Sequence, residues 1–162
     1  MLDYLEILNG ALATDLIVMA LFLFGSFKSD ALKKWYQMFN LNAVMADVLI
    51  LMLGVIFALW TYPYIFKKYS LVNLVLLSVA FQLFHDTLFG ISFNYTRQGS
   101  SNFMDVLKEY KNEKGYWIIL ADALMIISTV LIMHLMKMFS ADMNIIVLLS
   151  LLYTLPYLLN SM

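Results

Sequence analysis

The segment LNAVMADVLILMLGVIFALWTY, residues 41–62, decides the fold class. It carries one charged side chain, Asp47, and shows no alternation of polar with apolar residues. A helix needs about 20 mostly apolar residues to cross roughly 30 Å of hydrocarbon, and this run is long enough. Lipid offers open backbone groups no partners, so such a run is either helix or part of a closed barrel. A barrel strand would alternate over about ten residues, which this run does not, so it is read as helix.

Working outward, similar blocks cover residues 71–93, 116–139 and 143–159. A fifth covers residues 11–27 and can be extended back to Tyr4. The whole chain agrees: 63% of it is hydrophobic, mean hydropathy is +0.83, and only 13% is charged, where a soluble domain carries about 25%. No linker divides the blocks, so residues 1–162 read as one all-α domain, a polytopic bundle of five transmembrane helices. The opening MLDYLEILNG is acidic where a cleaved signal peptide is basic, so the first span is expected to be retained.

Two loops have structure of their own. In SSNFMDVLKEYKNEKG, residues 100–115, Phe103, Val106, Leu107 and Tyr110 fall on one helical face, with Ser101 as cap and Gly115 as stop. The expectation is an amphipathic helix over residues 101–114 lying in the interface, its lysines near headgroups. The loop SDALKKWYQMFN, residues 29–40, reads as a shorter version, with Trp35, Tyr36 and Phe39 as interfacial anchors.

Orientation follows from the basic residues. Lys67, Lys68 and Lys137 share the face of the N-terminus, whereas Lys28, Lys33, Lys34, Arg97, Lys108, Lys111 and Lys114 lie on the other. Cytosolic loops are enriched in Lys and Arg, so the N-terminus is expected outside or in a lumen and the C-terminus in the cytosol. Asn94-Tyr95-Thr96 fits the N-glycosylation pattern. It abuts the end of a span on the face assigned to the cytosol, and such tripeptides are common by chance.

Charged groups inside spans are costly and normally face a partner or water. Asp47 and Asp122 each lie six residues into their spans, and Asp86 lies seven residues from the end of its span. At 1.5 Å per residue, all three and His85 sit about 9–10 Å below the same face. Ser78, Gln82, His85 and Asp86 form one stripe on the third span. On the second, Gly54 and Ala58 form a small-xxx-small pair suited to helix contact. Asp15 is near the outer end if its span starts at Ala11, and near mid-membrane if it starts at Tyr4. The polar centre is therefore expected from spans two, three and four.

Three functions fit such a centre. The first is a proton or cation channel or transporter, oligomeric because five spans leave little room for a pore, with His85 as the group that titrates near neutrality. The second is a structural knot that only fixes helix packing. The third is an intramembrane lipid enzyme with a divalent metal on His85, Asp86, Asp47 and Asp122. No other cofactor is expected. The chain has no cysteine, which excludes disulfides and thiolate sites, and its net charge of −1 gives no argument for nucleic acid. The expected partners are the bilayer and further copies of the chain. A TVGYG filter, an HExxH motif, a GxSxG motif and an intraspan lysine are all absent.

Taken together, MADVLILMLG, TYPYIFKKYS, QLFHDTLF, FMDVLKEYKNEKG, LADALMIIS and LLYTLPYLLN resemble a family of multi-span membrane proteins encoded by large DNA viruses of algae and protists. The resemblance runs from about Leu32 to Asn160 and is carried largely by Asp47, His85, Asp86 and Asp122. It implies a viral membrane protein in a virion's internal membrane or a host membrane, and it brings no activity with it.

Overall fold

The computed structural model describes residues 4–162, the side chain of Asn94 excepted, so the glycosylation pattern there falls outside the described side chains. The chain forms α1 (Tyr4–Leu23), α2 (Asp30–Phe39), α3 (Leu41–Ile65), α4 (Leu71–Tyr95), α5 (Asn102–Lys114), α6 (Trp117–Met136) and α7 (Ala141–Ser161). Helices α1, α3, α4, α6 and α7 are long and apolar enough to cross a bilayer, and the protein is a helical membrane bundle. Successive spans run antiparallel, which places α2, α5 and the C-terminus on one face, here termed the cap face. Gln37 of α2 donates to the Met162 carbonyl at 2.8 Å, which ties the C-terminus to that face.

The first span differs from the expected residues 11–27. It starts at Tyr4 and ends at Leu23 because Gly25 turns the chain with φ +75°, a conformation that L side chains rarely adopt. Asp15 consequently lies eight residues from the cap end, about 12 Å deep. Helix α3 runs through Pro63 and stops two residues later at Ile65.

Helix α1 lies at the centre of the bundle, which corrects the expectation that spans two, three and four alone surround the polar groups. It packs most extensively on α6, then on α7 and α3, while α4 closes against α3 and α6. Half of α1's apolar window is buried, against 11% for α7, so α1 is the core strut and α7 a peripheral one. Small residues make this possible. A Cβ at Gly10 would stand 2.6 Å from the Thr129 carbonyl oxygen of α6, so the two backbones touch there. Gly54 does the same for α3 more loosely, since its Cβ would meet the Ile126 side chain at 3.1 Å. Gly54 and the fully buried Ala58 thus serve contacts within the chain.

Polar clamps fix the register of α1. Asn9 donates to the Asn144 carbonyl at 2.9 Å, and Asn144 donates to the Met136 carbonyl at 3.0 Å, both side chains being fully buried. Near mid-helix, Thr129 donates to Thr14 at 3.2 Å. These bonds hold α1 to α6 and α7 in a medium where the hydroxyl and amide groups have no water to turn to.

The cap face departs from expectation. Ser101 and Gly115 do bound α5, but its apolar face packs on α2. Phe103 meets Trp35 edge-on with ring centroids 4.6 Å apart, and Val106 is buried. The lysines turn to protein: Lys108 donates to the Thr96 carbonyl, Lys114 to the Lys28 carbonyl, and Lys111 lies 5.2 Å over the Phe93 ring.

Replacing Gly10 by Ala forces α1 and α6 apart. SDS-titrated unfolding of G10A should show a loss of about 1–3 kcal/mol, clearly more than for G54A, whose flexible Ile126 neighbour can yield. Equal stability of G10A and wild type would show that the two backbones are not in contact.

Candidate functional site

The site is built from the cap face inward. Ser29 accepts the Leu32 N–H at 3.1 Å and so starts α2. The short helix then presents alternate faces to water and to the bundle. Lys33 and Lys34 lie outside, while Trp35 and Tyr36, 5% and 1% exposed, point inward. They do not anchor in lipid, because their polar tips find carboxylates beneath them.

Tyr36 Oη lies 2.9 Å from Asp15 Oδ1 and 3.3 Å from Asp47 Oδ2. Trp35 Nε1 donates to the same Asp47 oxygen at 3.1 Å. One phenol therefore bridges a carboxyl of α1 and a carboxyl of α3. A phenol owns a single proton. Tyr36 therefore either shares that proton between the two carboxylates, or donates to one carboxylate and accepts from the other carboxyl group in its protonated form. The protonated arrangement can run as Asp47–H···Tyr36–H···Asp15 or in reverse, with the Asp15 contact the shorter and Asp47 accepting from Trp35 as well. Asp15 is fully buried, and its Oδ2 has no partner among the described residues. Burial, and then the charges of Asp15 and Asp47, hold the Tyr36 phenol well above its ordinary value, so it stays neutral.

A second cluster lies on α4. Gln82 donates to Asp86 Oδ1 at 2.8 Å, and His85 Nδ1 is 3.2 Å from the same oxygen. The His85 ring stacks on Phe89 at 5.7 Å, and its side chain is 41% exposed on the flank of the bundle. Asp86 Oδ2 is buried without a partner. Ser78, further along the stripe, is fully buried, and its hydroxyl is likewise without a partner among the described residues.

Asp122 of α6 stands between the clusters, close enough to feel the charges of both Asp86 and Asp47, and makes no hydrogen bond among the described residues. Tyr110 of α5 lies above it. Burial, and then the charges of Asp122, Asp47 and Glu113, push the Tyr110 phenol up to about 12.

The structure therefore gathers Asp15, Asp47, Asp86, Asp122 and His85 in the half of the membrane beneath the cap. It joins only Asp15 with Asp47, and Gln82 with Asp86 and His85, by hydrogen bonds. Among the described residues no three His, Asp or Glu side chains converge as metal ligands would. Sequence reasoning missed Tyr36 and Trp35 as partners of the carboxylates, and Asn9 and Asn144 as a clamp. The signal for the first pair was the spacing of α2, whose aromatic face could turn to the bundle as well as to lipid. The signal for the second was the longer first span, which brings Asn9 inside the bundle.

Alkaline titration checks the cap. Between pH 10 and about 12 the folded protein keeps the Tyr110 proton, whereas the unfolded chain releases it near pH 10. The unfolded state then binds fewer protons, so stability falls as pH rises through this window. Phenolate absorbance of wild type and Tyr110→Phe should coincide up to about pH 11 and diverge near pH 12. Divergence at pH 10 would mean that Tyr110 is open to water.

No family model, curated protein or solved structure matches this chain.

Proposed function

We propose that the protein moves protons across its membrane, with Asp47, Tyr36 and Asp15 as the transfer unit. The observation that carries this reading is the single phenol set between two carboxyl groups of different spans. A proton passes from Asp47 Oδ2 to Tyr36 Oη while the Tyr36 proton passes to Asp15 Oδ1. Asp47 loses one O–H bond, Asp15 gains one, and Tyr36 exchanges one O–H bond for another, so it remains neutral before and after. The shift needs no displacement of heavy atoms beyond hydrogen-bond length.

Supply from the cap side runs through His85, Asp86 and Asp122, which lie at the depth of Asp47. On the far side the route follows α1 past Thr14 and Thr129 to Asn9, Asn144 and Glu6. Protons suit this route better than hydrated cations do. Two surface depressions among the described residues, at Trp60–Thr61–Tyr64–Ile65 and along Ile146–Thr154, open outward, and no carboxylate lines either of them. With seven basic residues on the cap face and three opposite, that face is assigned to the cytosol.

The second reading is a structural membrane protein, in a virion if the family resemblance holds. It is favoured by the way the Tyr36 and Trp35 bonds join α1, α2 and α3. The two readings separate in proteoliposomes under an imposed potential, with a pH-sensitive dye inside. Wild type should carry protons. Tyr36→Phe keeps the ring and loses the bridge, so its flux should fall at least tenfold, which is about 1.4 kcal/mol of added barrier. His85→Ala should slow supply without abolishing it. No proton flux in wild type, together with an unfolding midpoint lowered by Asp47→Asn, would leave the packing role alone.

A further inference from the structure

The transfer unit lies directly beneath α2, and α2 is built as a separable piece. A positive-φ residue lies in the connection on each side of it, five residues before Asp30 on one side and directly after Phe39 on the other. Gly25 has φ +75°, and Asn40, between α2 and α3, has φ +46° and is the one non-glycine residue with positive φ among those described. Such connections let a short helix swing as a unit, because reorientation is taken up by a few loop and element-terminal residues, here residues 24–29 and Asn40. Helix α2 touches α5 more extensively than it touches any span.

The contacts between α2 and α5 are those of a latch. Lys34 pairs with Glu109 at 2.7 Å, with both side chains nearly half exposed. Glu113 accepts the Ala31 N–H at 2.9 Å, serving one of the open amides in the first turn of α2. Trp35 and Phe39 close on Phe103, with ring centroids 4.6 and 5.4 Å away. The exposed ion pair contributes only about 0–1 kcal/mol, so closure rests mainly on the buried Trp35 and Tyr36 and on the aromatic contacts with Phe103. Helix α5 is itself held to the spans, through buried Val106 and through Lys108 and Lys111 on the end of α4. When α2 lifts, Tyr36 leaves Asp15 and Asp47, and the two carboxyl groups meet water from the cap face. When α2 closes, they are sealed and bridged.

We propose that α2 is a hinged lid, latched to α5, which alternately exposes the Asp15–Asp47 pair to the cap face and seals it. The inference rests on the proton-transfer reading for its purpose, although not for its motion. In that setting the lid makes transfer stepwise: Asp47 loads with the lid open, from cap-face water and from the neighbouring Asp122, and passage through Tyr36 occurs with it shut.

The chain has no cysteine, so a pair placed at Lys34 and Glu109 is the sole target for a short, cleavable bis-methanethiosulfonate crosslinker. Trp60→Phe and Trp117→Phe leave Trp35 as the single tryptophan, whose iodide quenching reports lid opening independently of flux. Breaking the latch with Glu109→Gln and Glu113→Gln should raise Trp35 quenching at least twofold. Crosslinking the cysteine pair should reduce quenching to the level of a fully shielded indole, cut proton flux at least tenfold, and release both on reduction. Comparing one preparation before and after reduction keeps the test valid if the latch variant folds poorly. Quenching that neither crosslinking nor latch removal changes would overturn the lid. Flux that persists unchanged in the crosslinked protein would overturn its role as a gate and leave the proton reading standing. Lid motion in a wild type that carries no protons would retain the lid and remove the proton reading.

Discussion

The hydroxyl of Tyr36, held between Asp15 and Asp47, is the contact on which the rest of the arrangement depends. It joins the central span α1, the span α3 and the cap helix α2 through one atom. Hydrocarbon favours the contact. A carboxyl group about 12 Å below the membrane surface gains from a partner within the protein, and among the described residues Asp15 hydrogen-bonds only with Tyr36. The same constraint draws Trp35 to Asp47 and Gln82 to Asp86, and it sets Asn9 against Asn144 at the opposite end. Polar groups thus decide which helices meet, and small residues such as Gly10 decide how closely.

The bundle is asymmetric in chemistry as well as in shape. Beneath the cap lie four aspartates and a histidine; toward the other face α1 offers hydroxyls and amides, with the carboxylate of Glu6 only in its first turn. Amides and hydroxyls hold helices together without taking a net charge, whereas carboxyl groups can also exchange protons. A chain that needed only adhesion between helices could use the first kind throughout. Placing the second kind under a short helix joined to α3 through the positive-φ Asn40 puts the titratable groups beneath the element proposed above as a lid. That pairing of exchangeable carboxyl groups with a cap helix is what favours the proposal of proton movement over packing alone.

Much was legible in the sequence. Blocks such as residues 41–62 specify spanning helices because the hydrophobic period is absent and the length matches the bilayer. The α5 pattern is read correctly, since Ser101, Gly115 and the Phe103–Tyr110 face are local signals. The shared depth of Asp47, Asp86 and Asp122 follows from helix rise alone. The start of α1 was less legible, because Glu6 and Asn9 interrupt the apolar run until Asn144 satisfies Asn9.

The sequence by itself thus determined the spans, their alternating direction and the depth of the charged groups, because these depend on rise per residue and on the cost of polar groups in lipid. Only the tertiary structure decided that α1 is central, that Trp35 and Tyr36 turn inward, and that Asp15 pairs with Asp47 while Asp86 pairs with Gln82 and His85. Those choices depend on the rotation of each helix about its axis and on which neighbours it meets. A nearly uniform apolar helix carries little trace of either, because its hydrophobicity is the same on every side.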